Sequence, residues 1–504
     1  MTILDAGTGN PTPVRVHLSD ERGRSPATLP ETAVAVMYGK WDHADGYGYQ
    51  PDSSFYVPGS FEMDLAPGTY HLTLSKGNEY LAQTHEITVG PGEQVHKTYS
   101  LRRWIDMPEK GWYSADDHIH IRRSPRENPL LMDWIQAEDI HVGILLRMGD
   151  FWEIYYPQYA WGQAGVYRDG DYLLTDGQED PRTPELGHAI GIGAEDHVRY
   201  RDQYYLYDKV FDRLHELGGL TGYAHQGVTF HGYRGLTLDG LRHKLDILEI
   251  MQFCAEGGPL ITDHYYQMLD LGYRMTATAG SDFPWCGKDH RYGTDVAFER
   301  ASQIGNARFY TYVDGPLTYD AWKASLAAGH TFVTTGPVVL FTVNGKLPGD
   351  SVYVSLGESV HIVAEGYGNR EQVPLDRLEI VGHGEVLRRV AASDTGQSPD
   401  HISVDMELPV QHGIWLAARV YGGPNQAAHT TPVYVTAGDT GFYNPETVER
   451  NLESAEAYLQ ELERTIAGER HDNPELQAWR YADGLKDRIA EARAVIAELR
   501  KELR

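Results

Sequence analysis

The stretch Leu220-Thr221-Gly222-Tyr223-Ala224-His225 has the apolar pattern of a buried β-strand that ends at a histidine. A helical pattern precedes it across residues 206–217, and Gly218-Gly219 supplies the glycine that commonly follows a helix. A helix that leads directly into a buried strand is the repeating unit of α/β proteins. This stretch therefore predicts an α/β sheet in the middle of the chain.

The same alternation continues towards the C-terminus. Residues 247–253 and 275–279 form two more apolar strands, and a helical pattern at residues 260–271 lies between them. The last strand ends at Gly280-Ser281-Asp282, as the first ends at His225. Because the carboxyl ends of parallel strands meet at the active face of a parallel sheet or barrel, we expect both polar ends to lie there.

Strand patterns dominate on both sides of this region. Apolar and polar residues alternate in three N-terminal segments separated by Gly- and Pro-containing turns, residues 14–18, 61–65 and 70–74. Four similar segments follow Pro337, at residues 338–343, 360–365, 377–381 and 414–420. Each group predicts a small antiparallel β-sandwich with one buried face per sheet.

The C-terminal residues have a helical pattern that begins at Asn444, with Pro445 in the first helical position. Two apolar stripes separated by Asn473-Pro474 predict a helical hairpin. The chain thus divides into an N-terminal β-sandwich, a central α/β unit, a second β-sandwich and a helical tail, at residues 1–108, 109–337, 338–440 and 441–504.

The composition limits the classes of function. The 504 residues carry a formal net charge of -28 and no basic patch, which disfavours a nucleic-acid partner. No apolar run reaches the ~18 residues of a membrane span, and the N-terminus lacks a signal peptide, so we expect a soluble cytoplasmic protein without a membrane partner. With 23 His and only 2 Cys, a metal site has to consist of imidazoles and carboxylates.

The most specific local motif is Asp116-Asp117-His118-Ile119-His120. Residues two apart on a strand face the same side, so His118 and His120 can bind one metal ion. Asp116 can orient an imidazole from the same side, and it can equally be a solvated or capping aspartate. A pair of this kind also arises by chance in a chain with many histidines. Four further potential metal ligands weaken the explanation by chance. His225 and Asp282 end strands, and Glu179 and His188 share a loop-rich segment. Such a donor set suits Zn, Mn or Fe.

The order of these motifs resembles the polymerase-and-histidinol-phosphatase (PHP) metallohydrolase superfamily, and within it the carbaryl-hydrolase-like (CehA/McbA) family. The stretches that carry the resemblance are GWYSADDHIH at residues 111–120, TFVTTGP at residues 331–337 and residues 59–70. The resemblance covers about residues 10–440. It implies a central distorted (β/α)7 barrel of the PHP type, an N-terminal sandwich of the carboxypeptidase-regulatory type and a second sandwich behind the barrel, with the helical hairpin outside the resemblance.

The resemblance also implies the roles of individual residues: His118, His120 and Asp282 as a first metal site, Glu179 as a bridging carboxylate, and His188 with His225 as a second site. Two departures from the superfamily matter. Arg147-Met148-Gly149-Asp150 stands where a Thr-Asp-His segment is usual, and Phe283-Pro284 follows Asp282 where a histidine is usual. Both missing histidines would serve a third ion, so we expect one or two divalent ions, with Zn favoured over Mn or Fe.

Other residues near these motifs are candidates for substrate contacts or for ligand positioning. Asp282, His231 and His290 are the predicted catalytic groups, with Asp282 taking a proton from the attacking water and the histidines serving the leaving group. The candidates around the ligands are Asp116, Arg147, Asp150, Trp152, Tyr223 and Arg291. Each of the loop residues, Asp289 included, can equally be an ordinary polar residue, and the aromatic segment around Trp152 can simply pack over the barrel.

The resulting functional prediction is metal-dependent hydrolysis of a carboxylic ester, carbamate or amide in a small molecule. Phosphoester hydrolysis at the same centre is one alternative, which the missing third-site histidines disfavour. The other is a non-catalytic protein that binds a ligand or a carbohydrate and holds a structural metal. Homo-oligomerisation through the sandwiches or the C-terminal helices is also open.

Overall fold

The computed structural model describes residues 1–35, 49–50, 52–225, 229–252, 260–284, 303–393, 400–468 and 482–503. Within these ranges the chain is a mixed α/β protein with many strands, seven α-helices and a large sheet that curls into a half-barrel. The expected mixture of an α/β unit with additional β-structure is confirmed at this level.

The seven helices are α1 (Asn128–Ala137), α2 (Tyr207–Glu216), α3 (Gly232–Gly240), α4 (Asp263–Asp270), α5 (Tyr319–Ala328), α6 (Val448–Gly468) and α7 (Ala482–Glu502). Helix α2 is the one expected before the buried strand, and Gly218 behind it has a φ of 76°, the left-handed conformation that glycine adopts easily. Helix α4 begins at Asp263 instead of Leu260, because Leu260 pairs with Met251 in an isolated antiparallel bridge.

Six strands form the described part of the N-terminal region: β1 (Thr2–Asp5), β2 (Val14–Asp20), β3 (Phe55–Val57), β4 (Gly68–Ser75), β5 (Gln83–Val89) and β6 (Thr98–Leu101). Strands β3, β2, β4 and β5 make an antiparallel sheet in that order, and β1 pairs with β6 in parallel. The strand expected at residues 61–65 is wrong. Its alternation arises because Phe61 is buried, and Met63 and Leu65 are partly buried, against the core of the neighbouring sheet.

Eleven strands form the described part of the central region: β7 (Trp112–Ile119), β8 (Val142–Gly149), β9 (Ile154–Tyr155), β10 (Tyr167–Asp169), β11 (Tyr172–Thr183), β12 (Gly187–Ile192), β13 (Leu220–Tyr223), β14 (Ile247–Gln252), β15 (Thr276–Gly280), β16 (Arg308–Tyr312) and β17 (Thr331–Thr334). Strands β7, β8 and β11 are parallel neighbours, as are β13, β14 and β15. The expectation of a purely parallel sheet is wrong, since β12 runs antiparallel to both β11 and β13. The short connection between β11 and β12 makes them a hairpin, which requires antiparallel pairing.

Nine strands follow: β18 (Val338–Val343), β19 (Ser351–Val354), β20 (Ser359–Tyr367), β21 (Arg377–Gly382), β22 (Glu385–Ala391), β23 (His401–Pro409), β24 (Ile414–Tyr421), β25 (Ala427–Thr430) and β26 (Val433–Ala437). All four strands expected here are confirmed, as β18, β20, β21 and β24. Strands β18, β20 and β23 form a separate sheet, and an apolar core lies between it and the strands that include β21 and β24. Strand β25 pairs with β17, so the large sheet continues past the predicted boundary at residue 337.

The two C-terminal helices pack against the α/β unit. Helix α6 begins at Val448 instead of Pro445, because the Asn444 side chain accepts the Glu446 N–H and forms a turn first. The apolar stripes join the core of the central region and are buried there: Leu452, Ala455, Leu459 and Leu462 from α6, and Leu485, Ile489, Ala492 and Ile496 from α7. The predicted break at Asn473-Pro474 lies outside the described residues. The stripes are thus covered by this chain itself. Oligomerisation through these helices would have to use their other faces and stays a prediction.

The N-terminal sheet contacts the α/β unit through a network of buried charges. Arg103, which follows β6, donates from Nη1 and Nη2 to the two oxygens of Asp139 at 2.7 and 2.8 Å, and Nη1 also donates to Glu79 at 2.7 Å. Asp139 and Glu79 are both almost completely buried. Burial raises the pKa of Asp139, but the Arg103 charge outweighs it and holds that pKa well below its ordinary value. This network fixes the two regions against each other.

Within the ranges that the structure describes, none of the helices combines the length and the apolar character that a membrane span requires.

His429, on β25, is completely buried as a neutral imidazole. Its Nδ1–H donates to the Thr430 carbonyl at 2.7 Å, and its Nε2 accepts from the Tyr266 hydroxyl at 2.6 Å, so neither nitrogen has room for another proton. Burial lowers the pKa of His429 from 6.5 to about 3. A base with a depressed pKa stabilises the folded state above its unfolded pKa, and this contribution is lost as the pH falls from 6.5 towards 3.

We therefore expect the stability difference between the wild type and His429→Gln to shrink by about 1.4 kcal/mol for each pH unit below ~6.5. Urea unfolding of both proteins at pH 7, 6 and 5 measures this difference. A difference that stays constant over this range would contradict the buried neutral imidazole.

Candidate metal centre

Six side chains that the sequence nominates as metal ligands come together at one end of the central sheet. They are His118 on β7, His120 directly after it, Glu179 on β11, His188 on β12, His225 after β13 and Asp282 after β15. All six are buried except Asp282, whose side chain is 17% exposed. The expectation that the ends of β13 and β15 meet at one face is confirmed by their shared contact.

Three of these residues form a compact donor triangle. His118 Nε2 lies 3.1 Å from His120 Nε2, and Asp282 Oδ1 lies 3.4 Å and 3.3 Å from the same two nitrogens. Two ligands of one tetrahedral Zn²⁺ ion, each at ~2.0–2.1 Å, are roughly 3.3 Å apart. The triangle therefore has the dimensions of one face of a metal coordination sphere, and these buried groups can hold a divalent ion.

A second donor group shares His118 with the first. His118, Glu179 and His225 have ligand atoms within 4.8 Å of one another. His225 Nε2 lies 3.5 Å from Asp282 Oδ2 and 3.8 Å from Glu179 Oε1, whereas the other oxygens of both acids face His120 at 3.3 Å. Each carboxylate thus presents one oxygen to each group. Asp282 therefore lies between the two groups in the same way as Glu179, for which a bridging position was expected.

His188 contacts the cluster through Glu179. Its Nδ1 lies 2.6 Å from Glu179 Oε1, a distance at which the ring N–H donates to the carboxylate, and its ring stacks on Phe230. Burial, with help from the nearby Arg182 charge, lowers the pKa of His188 to about 3, so the imidazole is neutral. His188 belongs to neither donor group, and its ligand role stays a prediction.

The electrostatics of the site suit a cation. Burial alone lowers the pKa of His118, but the negative charges of Glu249 and Asp282 hold it well above its ordinary value. Burial raises the pKa values of Glu179 and Asp282, yet Arg182 beside Glu179 and His118 beside Asp282 bring both below the ordinary range. Two ionised carboxylates in a buried pocket therefore attract positive charge, which a divalent ion supplies and which fits this set of imidazole and carboxylate donors.

The backbone turns these side chains inward. His225 and Asp282 have φ angles of 55° and 53°, left-handed conformations that are uncommon for residues other than glycine and that cluster at functional sites. Gly280 lets β15 approach β7 closely, because a Cβ there would overlap His118 Cβ and lie 2.7 Å from Asp117 Oδ1. The Gly280-Ser281-Asp282 turn therefore places the Asp282 carboxylate next to the histidines.

Glu179 and His188 lie on paired strands and not in the loop-rich segment expected from the sequence. The segment contains Gly and Pro residues, which suggested a loop, but strands β11 and β12 form a ladder in which Glu179 pairs with Ile190. A register shift between Glu179 and Arg182 marks an irregularity in β11 at this point. Irregular strands of this kind are common next to active sites, because they redirect individual side chains.

Of the two roles open for Asp116, its hydrogen bonds match the capping one and not the orienting one. Its carboxylate does not contact an imidazole: Oδ1 accepts the backbone N–H groups of His118 and Ser281, both at 3.0 Å, and Oδ2 accepts the Gly305 N–H at 2.8 Å. Asp116 therefore holds together the backbones that carry two ligands. The alternation of side chains along β7 allowed the orienting role, but the approach of β15 offers Asp116 backbone donors instead.

The carboxylate that does contact the imidazole of His118 is Glu249, which the sequence analysis missed. Glu249 Oε1 lies 3.1 Å from His118 Nδ1. The available signal was one acidic residue inside the apolar strand at residues 247–253. Beside it lies Asp117, whose pKa is raised well above the ordinary value by burial and by the Glu249 charge.

Three other nominated residues have structural roles. Asp150 organises the turn before β9, where its Oδ1 accepts the N–H groups of Trp152 and Glu153 at 2.8 and 3.0 Å. The Trp152 side chain is 45% exposed and packs edge-on against Phe151, as the packing alternative allows. Tyr223 is wrong as a substrate contact, because it is buried and its hydroxyl donates to Asp239.

The remaining nominations have no observed link to the cluster or lie outside the described residues. His231 is exposed, and its Nδ1 donates to the Pro184 carbonyl while its ring lies against Tyr233. Arg147 on β8 is half-buried, and burial lowers its pKa while the Asp180 charge opposes this effect. Asp289, His290 and Arg291 lie in residues 285–302, outside the described ranges.

Arg182 and two aromatic rings complete the surroundings of the cluster. Tyr156 belongs to the aromatic segment around Trp152, for which a pocket wall was one expectation, whereas Arg182 and Phe230 were not among the predicted site residues. Arg182 Nε lies 3.1 Å from Glu179 Oε2. The Tyr156 ring stacks over His120, and the Phe230 ring, 51% exposed, stacks over His188. The cluster is thus bordered by the Arg182 guanidinium on one side and by the ring faces of Tyr156 and Phe230 on two others.

No protein-family model and no curated protein matches the sequence. Among solved structures, the fibronectin(III)-like modules of Clostridium thermocellum CbhA align with 19% of this chain and 94% of their own, at 11% identity and a TM-score of 0.14. An engineered protein aligns with 41% of this chain and 44% of its own, at 10% identity and a TM-score of 0.14. Similarities at this level assign neither a family nor a function.

Proposed function

We propose that the protein is a metal-dependent hydrolase that cleaves a carboxylic ester, a carbamate or an amide in a small molecule. The observation that carries this proposal is the donor triangle of His118, His120 and Asp282, with edges of 3.1 to 3.4 Å. Two imidazole nitrogens and a carboxylate oxygen that converge at these distances can direct their lone pairs at one common point. A divalent cation at that point fits the dimensions of the triangle.

We further propose membership of the carbaryl-hydrolase-like family in the PHP superfamily. The order of the ligands along the chain supports it, as does the order of the strands. Pairings run from β7 through β8, β11, β12, β13 and β14 to β15, and an isolated parallel bridge joins Ile119 to Phe283 beside the cluster. This order supports a seven-stranded barrel, flanked by the N-terminal and C-terminal β-layers as two sandwiches.

In this proposal, His118, His120 and Asp282 would hold one divalent ion, and His225 would hold a second together with the carboxylates of Glu179 and Asp282. Zn²⁺ is the first candidate, with Mn²⁺ or Fe²⁺ also compatible with these donors. A bound divalent ion supplies a water whose pKa is lowered towards ~7 and polarises the substrate carbonyl. Arg182 holds the Glu179 carboxylate in position, with its Nε 3.1 Å from Oε2.

The substrate reaches the cluster at Asp282, which is 17% exposed, whereas the side chains of His118, His120, Glu179 and His225 are at most 7% exposed. The low pKa of Asp282 keeps its carboxylate ionised, so that it can accept a hydrogen bond from the attacking water and orient it. The exposed Phe230 ring offers an apolar surface to the organic part of the substrate. An aryl leaving group needs little protonation, which suits a site whose described residues include no obvious general acid.

Metal removal tests this function. Protein dialysed against a chelator is expected to lose at least about a hundredfold in the rate of hydrolysis of p-nitrophenyl acetate and of a p-nitrophenyl carbamate, since the ion contributes several kcal/mol to the barrier. Added Zn²⁺ or Mn²⁺ is expected to restore the rate. p-Nitrophenyl phosphate, assayed in parallel, is expected to react more slowly than the esters.

Full activity of the metal-free protein on the esters would contradict the proposal. A metal-dependent preference for the phosphate would replace it with phosphoester hydrolysis. Metal binding without turnover of any of the three compounds would favour a structural metal in a binding protein.

A further inference from the structure

Strand β14 carries one charged residue, Glu249, at the centre of the sheet behind the cluster. β14 lies between β13, which leads to His225, and β15, which leads to Asp282. Only 1% of Glu249 is exposed. A buried carboxylate in an otherwise apolar strand costs free energy unless hydrogen bonds compensate for the lost hydration, so the identity of its partners indicates its role.

The two oxygens of Glu249 bond to two different ligand residues. Oε1 lies 3.1 Å from Nδ1 of His118, and Oε2 accepts the backbone N–H of His225 at 2.5 Å. In both bonds the partner is the donor. Because a carboxylate has two acceptor oxygens and a side-chain amide has one acceptor and one donor, an acid suits this position and a glutamine does not.

The bond to His118 determines which nitrogen faces the cluster. With the proton held on Nδ1 by Glu249, the lone pair of Nε2 points towards His120 and Asp282. A carboxylate behind a metal-binding imidazole fixes the tautomer and the ring orientation in this way, and raises the basicity of the ligand.

The bond to His225 acts on the backbone. His225 has a φ of 55°, a left-handed conformation that disfavours a side chain and persists only when the surroundings hold it. The Glu249 bond to the His225 N–H supplies such a restraint at the residue that turns the ring towards Glu179 and Asp282. Gly280 leaves the space for this arrangement, since a Cβ there would lie 2.8 Å from Glu249 Oε1.

We infer that Glu249 is a positioning residue that couples the two donor groups: one carboxylate sets the tautomer of His118 in the first and the backbone of His225 in the second. This inference rests on the metal centre of the proposed function. It goes further by assigning a role to a residue that binds neither metal nor substrate.

The test is a Co²⁺ titration of the metal-free protein, followed by its visible absorption, for the wild type and Glu249→Gln. The variant keeps the size of the side chain, but its amide NH2 faces one of the two donors, His118 Nδ1–H or the His225 backbone N–H. We expect its Co²⁺ affinity to fall by about 10- to 100-fold, the usual cost of losing such a partner. The matched control is Asp270→Asn, because Asp270 is also a buried acid whose two oxygens accept hydrogen bonds, at a place without cluster residues. Its three side-chain donors are Trp415 Nε1–H at 2.8 Å, the Thr447 hydroxyl at 2.7 Å and Asn444 Nδ2–H at 3.2 Å. Its Co²⁺ affinity is expected to stay at the wild-type value.

Equal Co²⁺ affinities of the wild type and Glu249→Gln would overturn the role of Glu249 and leave the metal centre intact. An equal loss in Asp270→Asn would also overturn it, because the effect would then be a general loss of stability. A wild type that binds no Co²⁺ would overturn the metal centre together with this inference.

A second measurement needs no variant. The ¹⁵N chemical shifts of His118 in the Zn²⁺-loaded wild type report which ring nitrogen carries the proton. A proton on Nδ1 is the expected result, and a proton on Nε2 would overturn the inference whether or not Glu249→Gln folds.

Discussion

Replacement of His118 by alanine is expected to lower kcat/KM for ester hydrolysis by at least about a hundredfold and to remove tight binding of one divalent ion, with the fold retained. His118 Nε2 is one corner of the donor triangle, so its loss removes a ligand of the first ion directly. Loss of a group behind a ligand already costs about 10- to 100-fold in metal affinity or activity, and loss of the ligand itself is expected to cost more. Hydrolysis assays and a metal titration measure the two effects, and circular dichroism checks the fold.

His361→Ala is the matched control for this experiment. His361 lies on β20, its side chain is 45% exposed, and its Nε2 lies 2.8 Å from Asp405 Oδ1 in a surface ion pair. Such pairs contribute little, so activity and metal content are expected to remain at the wild-type level. An active His118→Ala protein with wild-type metal content would contradict the proposed centre.

Replacement of Arg103 by alanine is expected to lower the free energy of unfolding by about 3–5 kcal/mol, the usual cost of breaking a buried ion pair from one side. The variant leaves the carboxylates of Asp139 and Glu79 buried at 0% and 1% exposure without their cation. Other partners, the hydroxyls of Tyr172 and Tyr310 at 2.7 and 2.9 Å, remain but carry no charge. Urea unfolding followed by tryptophan fluorescence measures the loss.

Arg24→Ala provides the comparison for Arg103→Ala. Arg24 pairs with Asp20 in the same N-terminal region, but its side chain is 67% exposed, so its loss is expected to change the free energy of unfolding far less than the loss of Arg103. The loss of unfolding free energy in Arg103→Lys is expected to lie between those of Arg103→Ala and Arg24→Ala, since lysine keeps the charge but cannot donate two parallel bonds to Asp139. Equal stabilities of Arg103→Ala and Arg24→Ala would show that the buried network does not fix the N-terminal sheet to the α/β unit.

The sequence predicts the parts of the site that depend on strand direction. His118 and His120 share a face because side chains alternate along a strand, and His225 and Asp282 approach each other because the carboxyl ends of parallel strands meet. These rules need only local patterns, which is why the strands around them could be predicted to within one or two residues. The family resemblance supplied Glu179, which no local pattern would have placed beside the histidines.

The residues that the sequence misplaces depend on contacts between distant segments. Asp116 has the spacing of an orienting group, but its actual partners include the N–H groups of Ser281 and Gly305, far along the chain. Glu249 lies 131 positions from the His118 that it contacts. Tyr223 lies two residues before His225 and would share its face by alternation, yet its ring lies in the core and its hydroxyl donates to Asp239. Partners of this kind follow from the packing of the whole sheet and not from a local pattern.

The metal content of the purified protein tests the central claim most directly. After equilibration with Zn²⁺ and removal of free metal, elemental analysis is expected to find one or two ions per wild-type chain and fewer in His118→Ala. A wild-type protein that retains no Zn²⁺, Mn²⁺ or Fe²⁺ under these conditions would contradict the metal centre and the hydrolytic function built on it.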